Sequence, residues 1–266
     1  MILTIRNDGP LIVSIPHAGL ELPEEIAPKL VSPKRARYDA DLYIDELYAF
    51  AFTLGATIVR TTTSRTAIDV NRDPSGVTLY PGQFTTGLCP TETFDGLPLY
   101  RPGHEPDAAE IARRRTAYFD PYHAALTAEI ARLKSRHAAI VLYEAHSIRS
   151  TVPRLFDGRL AEFNIGTNSG QSCAPELPQS IAAICARQER SHVVDGRFKG
   201  GWTTRHYGQS ATGVHAIQME LAMRTYLEEV PEADWPPPWD PVIAAGAQMT
   251  LRPILTAALN FASAQL

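Results

Sequence analysis

Apolar positions in this chain come in short, dense runs separated by polar stretches carrying glycine and proline. The runs LIVSI (11–15), ATIVRT (56–61), TAIDV (66–70), AAIVLYEA (138–145), FNIGT (163–167), SHVVD (191–195) and VHAIQMEL (214–221) are short and rich in β-branched residues, which predicts strands. Between them, EIAPKL, DLYIDELYAFAFTL (41–54), the segment 109–136 and QSIAAICARQ (179–188) carry apolar residues three and four apart, which predicts helices. Asp120-Pro121 falls inside the longest of these and predicts a kink or a split. A last helix is expected at about 240–262, after the stiff WPPPW segment at 235–239. Strands alternating with helices predict an α/β fold with three layers, α/β/α, around a central mixed, mostly parallel sheet. No repeat or linker divides the chain, so one domain over 1–266 is expected, with long loops at 71–108 and 196–213 free for function.

Composition narrows the function classes. At 266 residues the chain can bury a sizeable core, and 44% apolar with 20% charged residues is ordinary for a soluble globular protein. A net charge of −4 gives no reason to expect nucleic acid or an acidic membrane as partner. No apolar run is expected to approach the ~20 residues that span a bilayer, and the N-terminus lacks a signal-peptide layout. Cys89, Cys173 and Cys185 form neither a disulfide framework nor a CxxC site. A reduced, cytoplasmic setting is the expectation; oligomeric state is left open.

Candidate chemistry gathers where apolar runs end. VLYEAHSIRS (141–150) places Glu144, His146, Ser147 and Arg149 at the end of a strand, the edge where open α/β sheets bind ligands. SIPHAG sets His17 in a turn after the first strong strand, suited to a metal or simply to a surface loop. Asp41 and Asp45 open a predicted helix, as metal carboxylate or as ordinary complement to the helix dipole. Arg65 and Arg72 bracket a predicted strand that runs into Asn71; they suit carboxylate recognition, or a salt-bridged strand end. GRFKGGWTTRHYG carries Arg197, Lys199, Arg205 and His206 and could close over an anion. Glu220 ends an apolar run, as a general base or as the partner of Arg224. There is no GxSxG elbow to make Ser147 a nucleophile.

Together the blocks SIPHAG, DLYIDELYAFA, DVNRDP, LYPGQFTTGLCP, FDGLPLYRPG, YHAAL, EAHSIRS, VPRLFDGRL, NIGTNSGQSCAP, HVVDGRFKGGWTTRHYG and GVHAIQMEL resemble the N-formylglutamate amidohydrolase (deformylase) family, in family order from about residue 10 to 226. The resemblance implies a zinc amidohydrolase related to the carboxypeptidase and aspartoacylase group. It implies His17 and His146 as zinc ligands, Asn71 and Arg72 as substrate-binding residues, and Glu220 as the base. That wider group takes its carboxylate ligand three residues after the first histidine, where this chain has Leu20. Asp41 is then the first choice for the third ligand, with Glu21 and Glu144 as alternatives. The family often has Trp-His where this chain has Leu42-Tyr43, and Asp where it has Glu144.

The reaction expected on this resemblance is zinc-dependent hydrolysis of N-formyl-L-glutamate to formate and L-glutamate, a step of histidine degradation. Another divalent metal remains open. Glu220 acts as base, Arg65 stabilises the oxyanion, and Arg72, Arg149 and Arg205 clamp the two substrate carboxylates. The alternatives are an amidohydrolase of the same fold acting on another N-acyl amino acid, and a non-catalytic carboxylate-binding protein.

Overall fold

Strands form where residues are buried on both faces. The computed structural model describes residues 1–79 and 82–265; Tyr80 and Pro81, in the LYPGQFTTGLCP block, and Leu266 lie outside the described residues. Among the described residues the strands are β1 (Ile2–Ile5), β2 (Leu11–Ile15), β3 (Thr57–Thr61), β4 (Ile140–Ile148), β5 (Phe163–Gly166), β6 (His192–Val194) and β7 (Val214–Ala222). They make one sheet in the order β1-β3-β2-β4-β7-β5-β6. The centre, β3-β2-β4-β7, is parallel, while β1 and β5 pair antiparallel to it and β6 runs parallel to β5. Every residue of β2, β4 and β7 is buried, which is why they read as continuous apolar runs.

The helices are α1 (Pro33–Arg37), α2 (Ile44–Leu47), α3 (Ala108–Arg114), α4 (Asp120–Lys134), α5 (Glu176–Arg187), α6 (Trp202–Tyr207) and α7 (Pro241–Ser263). Side chains alternate across the sheet. Val141, Tyr143, Ile217 and Met219 pack with Ile181 and Ile184 of α5 and with Leu251, Ile254 and Leu255 of α7. Ile140, Leu142, Val214 and Ala216 face the other way, against Tyr122, Leu126 and Leu133 of α4. The result is the expected three-layer α/β/α fold with a mixed sheet.

Several local expectations change. TAIDV is a turn, not a strand: Ala67 N–H donates to Ser64 O (2.9 Å) and Arg72 N–H to Asp69 O (3.3 Å), and the turn leaves the Asp69 side chain fully buried. The predicted helix 41–54 starts only at Ile44, because Tyr43 takes a left-handed backbone (φ 59°), and at Tyr48 (φ −94°, ψ 5°) it breaks into α2 and a 3₁₀ stretch, Ala49–Leu54. Asp41 therefore precedes the helix and does not share a face with Asp45, which pairs with Arg60. The long helix divides through a π-helical turn, Arg115–Phe119, next to Pro121, whose missing N–H disrupts the α ladder. β1 was not foreseen, and the 196–213 loop contains α6. By length and composition alone the 23-residue α7 could cross a membrane, contrary to the expectation that no segment would. A buried core helix passes the same test, and Ala247, Leu251, Ile254 and Ala258 bury α7 in the core.

Ile254 is fully buried between α7 and the sheet. Ile254→Ala is expected to lower the unfolding free energy by about 2–5 kcal/mol in urea titration; a loss well under about 1 kcal/mol would mean that α7 does not complete the core.

Candidate functional site

The parallel strands β2, β4 and β7 end along one edge. The chain leaves β2 for β3 on one side and returns in β4 on the other, so that edge holds the topological switch point where open sheets bind ligands. His17 follows β2, His146 lies near the end of β4, and Glu220 sits opposite His146 in the β4–β7 register. Gly19 lets the His17 turn pass the strand beside it, since a Cβ there would stand 2.4 Å from Thr63 O. Asp41 is tied to this turn by its N–H, which donates to His17 O (3.0 Å), and its Oδ2 accepts from Ser147 N (3.0 Å).

Three buried side chains converge. Nδ1 of His17 is 3.8 Å and Nδ1 of His146 is 3.1 Å from Oδ2 of Asp41, and the ligand atoms of the three residues lie within 4.8 Å of one another. His17 Nδ1 is buried without a hydrogen-bond partner among the described residues. Its Nε2 lies 2.8 Å from Asp69 Oδ1, and an ionised carboxylate can only accept, so the ring proton sits on Nε2 and the Nδ1 lone pair faces Asp41. Burial, with the Arg65 charge, drops the His17 pKa to about 4 and keeps the ring neutral. A neutral imidazole aimed by a carboxylate is how proteins present histidine to a metal. Two nitrogens and one oxygen with no thiolate can hold a divalent ion such as zinc.

Asp69 organises the surrounding charges. Oδ1 also accepts from Asn71 N (2.9 Å), Oδ2 accepts from Arg65 Nη2 (2.8 Å), and Arg72 Nη2 lies 3.6 Å away. Burial would raise its pKa, but Arg72, His17 and Arg65 outweigh that and hold the carboxyl well below its ordinary range. Arg65 also reaches Asp41 Oδ1 (3.3 Å) and lies over the Phe94 ring. Burial, reinforced by Asp41, pushes Glu220 up to about 7, against the pull of His146, Arg65 and Arg72. Burial would depress His146, yet the nearby carboxylates of Asp41, Glu144 and Glu220 hold it up at about 10.

A second set of contacts fixes the groups above the sheet. Gln218, two residues before Glu220 and on the same face, donates from Nε2 to Glu220 Oε2 (3.1 Å) and accepts Gly201 N–H at Oε1 (2.8 Å). Asn71 Oδ1 accepts Thr203 N–H (2.9 Å), and its Nδ2 lies 3.0 Å from His146 Nε2. Residue 201 must be glycine for this approach, because a Cβ would stand 2.3 Å from Asn71 Nδ2.

A cavity opens over these groups. Its polar lining includes His17, Arg65, Asn71, Arg72, His146, Arg197, Gln218 and Glu220, with Thr85 and Thr86 at the rim; Phe84, Phe94, Ile148, Leu155 and Phe198 supply apolar wall. The structure thus brings His17, Asp41, His146, Arg65, Asn71, Arg72 and Glu220 together. Arg149 and Arg205 lie outside this lining. Arg149 pairs with Asp39 (3.1 Å) and Asp95 (2.7 Å) and lies over Tyr38, while Arg205 Nε donates to Gly200 O (2.9 Å). Arg197 enters the cavity instead, with Nε on Leu155 O (2.7 Å) and Nη2 on Phe84 O (3.0 Å). Glu21 is away from the cluster, beside Thr62 and the N-terminus, and Arg224 binds Ser150 and Leu160, not Glu220. Sequence reasoning missed Asp69 and Gln218. Strand alternation with Glu220 could have flagged Gln218, whereas nothing local marks Asp69 beyond an acid in an apolar run.

Residues 9–227 match the N-formylglutamate amidohydrolase family profile. The N-formylglutamate deformylase of Pseudomonas aeruginosa is 48% identical over 225 residues, covering 84% of each chain. That of Pseudomonas putida is 46% identical over 221 residues, covering 83% of this chain and 82% of its own. Among solved structures, an N-formylglutamate amidohydrolase from Ralstonia eutropha shares the fold with a TM-score of 0.81 at 23% identity, over 98% of both chains. A gene product from Agrobacterium tumefaciens shares it at 0.71 and 18%, over 98% of this chain and 95% of its own. With most of its length matched, and relatives near half identity, this chain belongs to the N-formylglutamate amidohydrolase family.

Proposed function

We propose that this protein hydrolyses N-formyl-L-glutamate to formate and L-glutamate. The observation that carries the reading is Glu220 paired in register with His146, sharing one cavity with His17, Arg65, Arg72 and Arg197. Family membership and the names of the two Pseudomonas relatives point to the same substrate. The cavity has the cations that a dicarboxylate needs and a carboxyl whose pKa is near neutrality. The products fit histidine degradation, which we assign, with a cytoplasmic setting, on the family resemblance.

In this proposal His17, Asp41 and His146 hold zinc. When bound, the ion supplies Lewis acidity toward the formyl oxygen and toward water. Glu220 removes a proton from the attacking water and delivers it to the amide nitrogen as the C–N bond breaks, so one water is consumed and two products leave. Arg65, fixed by Asp41 and Asp69, faces the oxygen on which negative charge develops. Arg72 and Arg197 take the two carboxylates, in place of the expected Arg149 and Arg205. One extra methyl in an apolar acyl pocket is worth about 1–3 kcal/mol, so N-acetyl-L-glutamate is a poor substrate but not an inert one.

Formate release from N-formyl-L-glutamate, on metal-stripped protein before and after zinc, tests the reading, with other N-acyl amino acids alongside. Activity on those and none on the formyl compound would redirect it to another amidohydrolase. Glu220→Gln is expected to lower kcat by about 10²–10⁴-fold with zinc content unchanged; full activity would remove Glu220 from the mechanism. Arg197→Ala is expected to lower kcat/KM by about ten- to a hundredfold, the scale of a lost hydrogen bond to a charged group. Arg149→Ala, which alters an ion pair outside the cavity, leaves kcat/KM near wild type.

Metal uptake carries a pH signature. In the metal-free protein the His146 pKa, about 10, lies above its ordinary 6.5. The folded state holds that proton more tightly, so its stabilisation is complete below about 6.5 and is lost as pH rises through about 10. A metal held by His146 would displace that proton, so uptake near neutral pH is expected to release about one proton and the apparent affinity to rise with pH. Calorimetry in buffers of different ionisation enthalpy counts it; no release would mean that His146 is neutral in the metal-free protein.

A further inference from the structure

Glu144 is a buried carboxylate beside His146 that the proposed mechanism does not use. It is fully buried in β4, opposite Ser14 of β2 and Gln218 of β7. Neither of its carboxylate oxygens has a hydrogen-bond partner among the described residues. A buried carboxylate in that condition is costly, and folds keep one where a donor is to be met. The donor in reach is Nε2 of His146, two residues on and on the same face, 3.5 Å from Oε2. His17 has the finished form of this arrangement, with its Nε2 2.8 Å from Asp69.

The metal site fixes which nitrogen of His146 Glu144 meets. His146 Nδ1 faces Asp41 (3.1 Å), and the ligand atoms of His17, Asp41 and His146 lie within 4.8 Å of one another. An ion held by those atoms would take the Nδ1 lone pair and leave the ring proton on Nε2, the nitrogen that faces Glu144. Asn71 Nδ2, 3.0 Å from the same nitrogen, is a donor, because Thr203 N–H holds Asn71 Oδ1 toward α6, so it cannot accept that proton.

We infer that Glu144 is a positioning residue, the outer carboxylate of the His146 ligand, which accepts a hydrogen bond from His146 Nε2–H and holds the ring with Nδ1 toward the metal site. The inference rests on the proposed zinc site of His17, Asp41 and His146. It gives each histidine ligand its own buried acid: Asp69 for His17 from a turn, and Glu144 for His146 from the same strand.

Zinc affinity by competition with a chromophoric chelator, together with urea stability of the metal-free protein, tests this on wild type, Glu144→Leu, Glu144→Gln and Glu144→Asp. Loss of an outer-shell partner costs about 10–100-fold in metal affinity. Glu144→Leu is expected to bind zinc weaker by that factor while its metal-free form is at least as stable as wild type, having lost an unpartnered carboxylate. Glu144→Gln keeps the shape and one acceptor and falls between, which preserves the test should the leucine variant not fold; Glu144→Asp recovers part of the affinity. Wild-type affinity in Glu144→Leu and Glu144→Gln, or a drop in metal-free stability that accounts for the weaker binding, overturns the inference alone. Wild-type protein that binds no zinc overturns the metal reading, and this inference with it.

Discussion

The site depends on one buried carboxylate with donors on both oxygens. Asp69 aims the His17 ring, orients Arg65, fixes the backbone of Asn71 and draws in Arg72. These partners come from the turn after β2 and from the segment after β3, so the charge balance of Asp69 is also the joint between them. A buried ion of this kind is stable only when its donors are complete, and the loss of one leaves the rest poorly compensated. The cation beside Asp41, the lone pair of His17 and the position of the Asn71 amide are therefore set together.

The sheet divides the work. Along β4 and β7 the residues facing α4 change from Ile140, Leu142, Val214 and Ala216 to Glu144, His146, Gln218 and Glu220. One strand face is thus core over its first half and chemistry over its second. His146 and Glu220, the proposed ligand and base, inherit the rigidity of the ladder, which suits groups that must be held within a fraction of an ångström. In the proposed reaction, recognition of the substrate's carboxylates falls to Arg72 and Arg197, which stand on irregular segments outside the named strands and helices.

Much of this was legible in the sequence. Fully buried parallel strands read as continuous apolar runs, so β2, β4 and β7 and their polar tips were visible. His17, His146 and Glu220 followed, because each stands at the end of such a run. The failures have physical causes. The segment 41–54 is apolar on several sides and is held by packing, so its periodicity carries little helical information. TAIDV alternates like a strand, but Asp69 has to turn inward to meet donors distant in sequence. Which arginine enters the cavity is a question of distance: Arg149 is satisfied by Asp39 and Asp95, and Arg197 reaches the wall by binding Leu155 and Phe84 carbonyls. No local pattern encodes that choice.

The cavity wall is itself held by the arginines that face its interior. Arg72 donates to Thr86 O and Oγ1 (3.0 Å each), and Arg197 donates to Phe84 O (3.0 Å), both on the segment that carries Phe84, Thr85 and Thr86 along the rim. A dianion drawing on those guanidinium groups shares donors with the backbone that encloses it. Order in the rim and occupancy of the cavity then belong to a single equilibrium, and the binding energy measured for a carboxylate is the net of an exchange, not the sum of its new contacts.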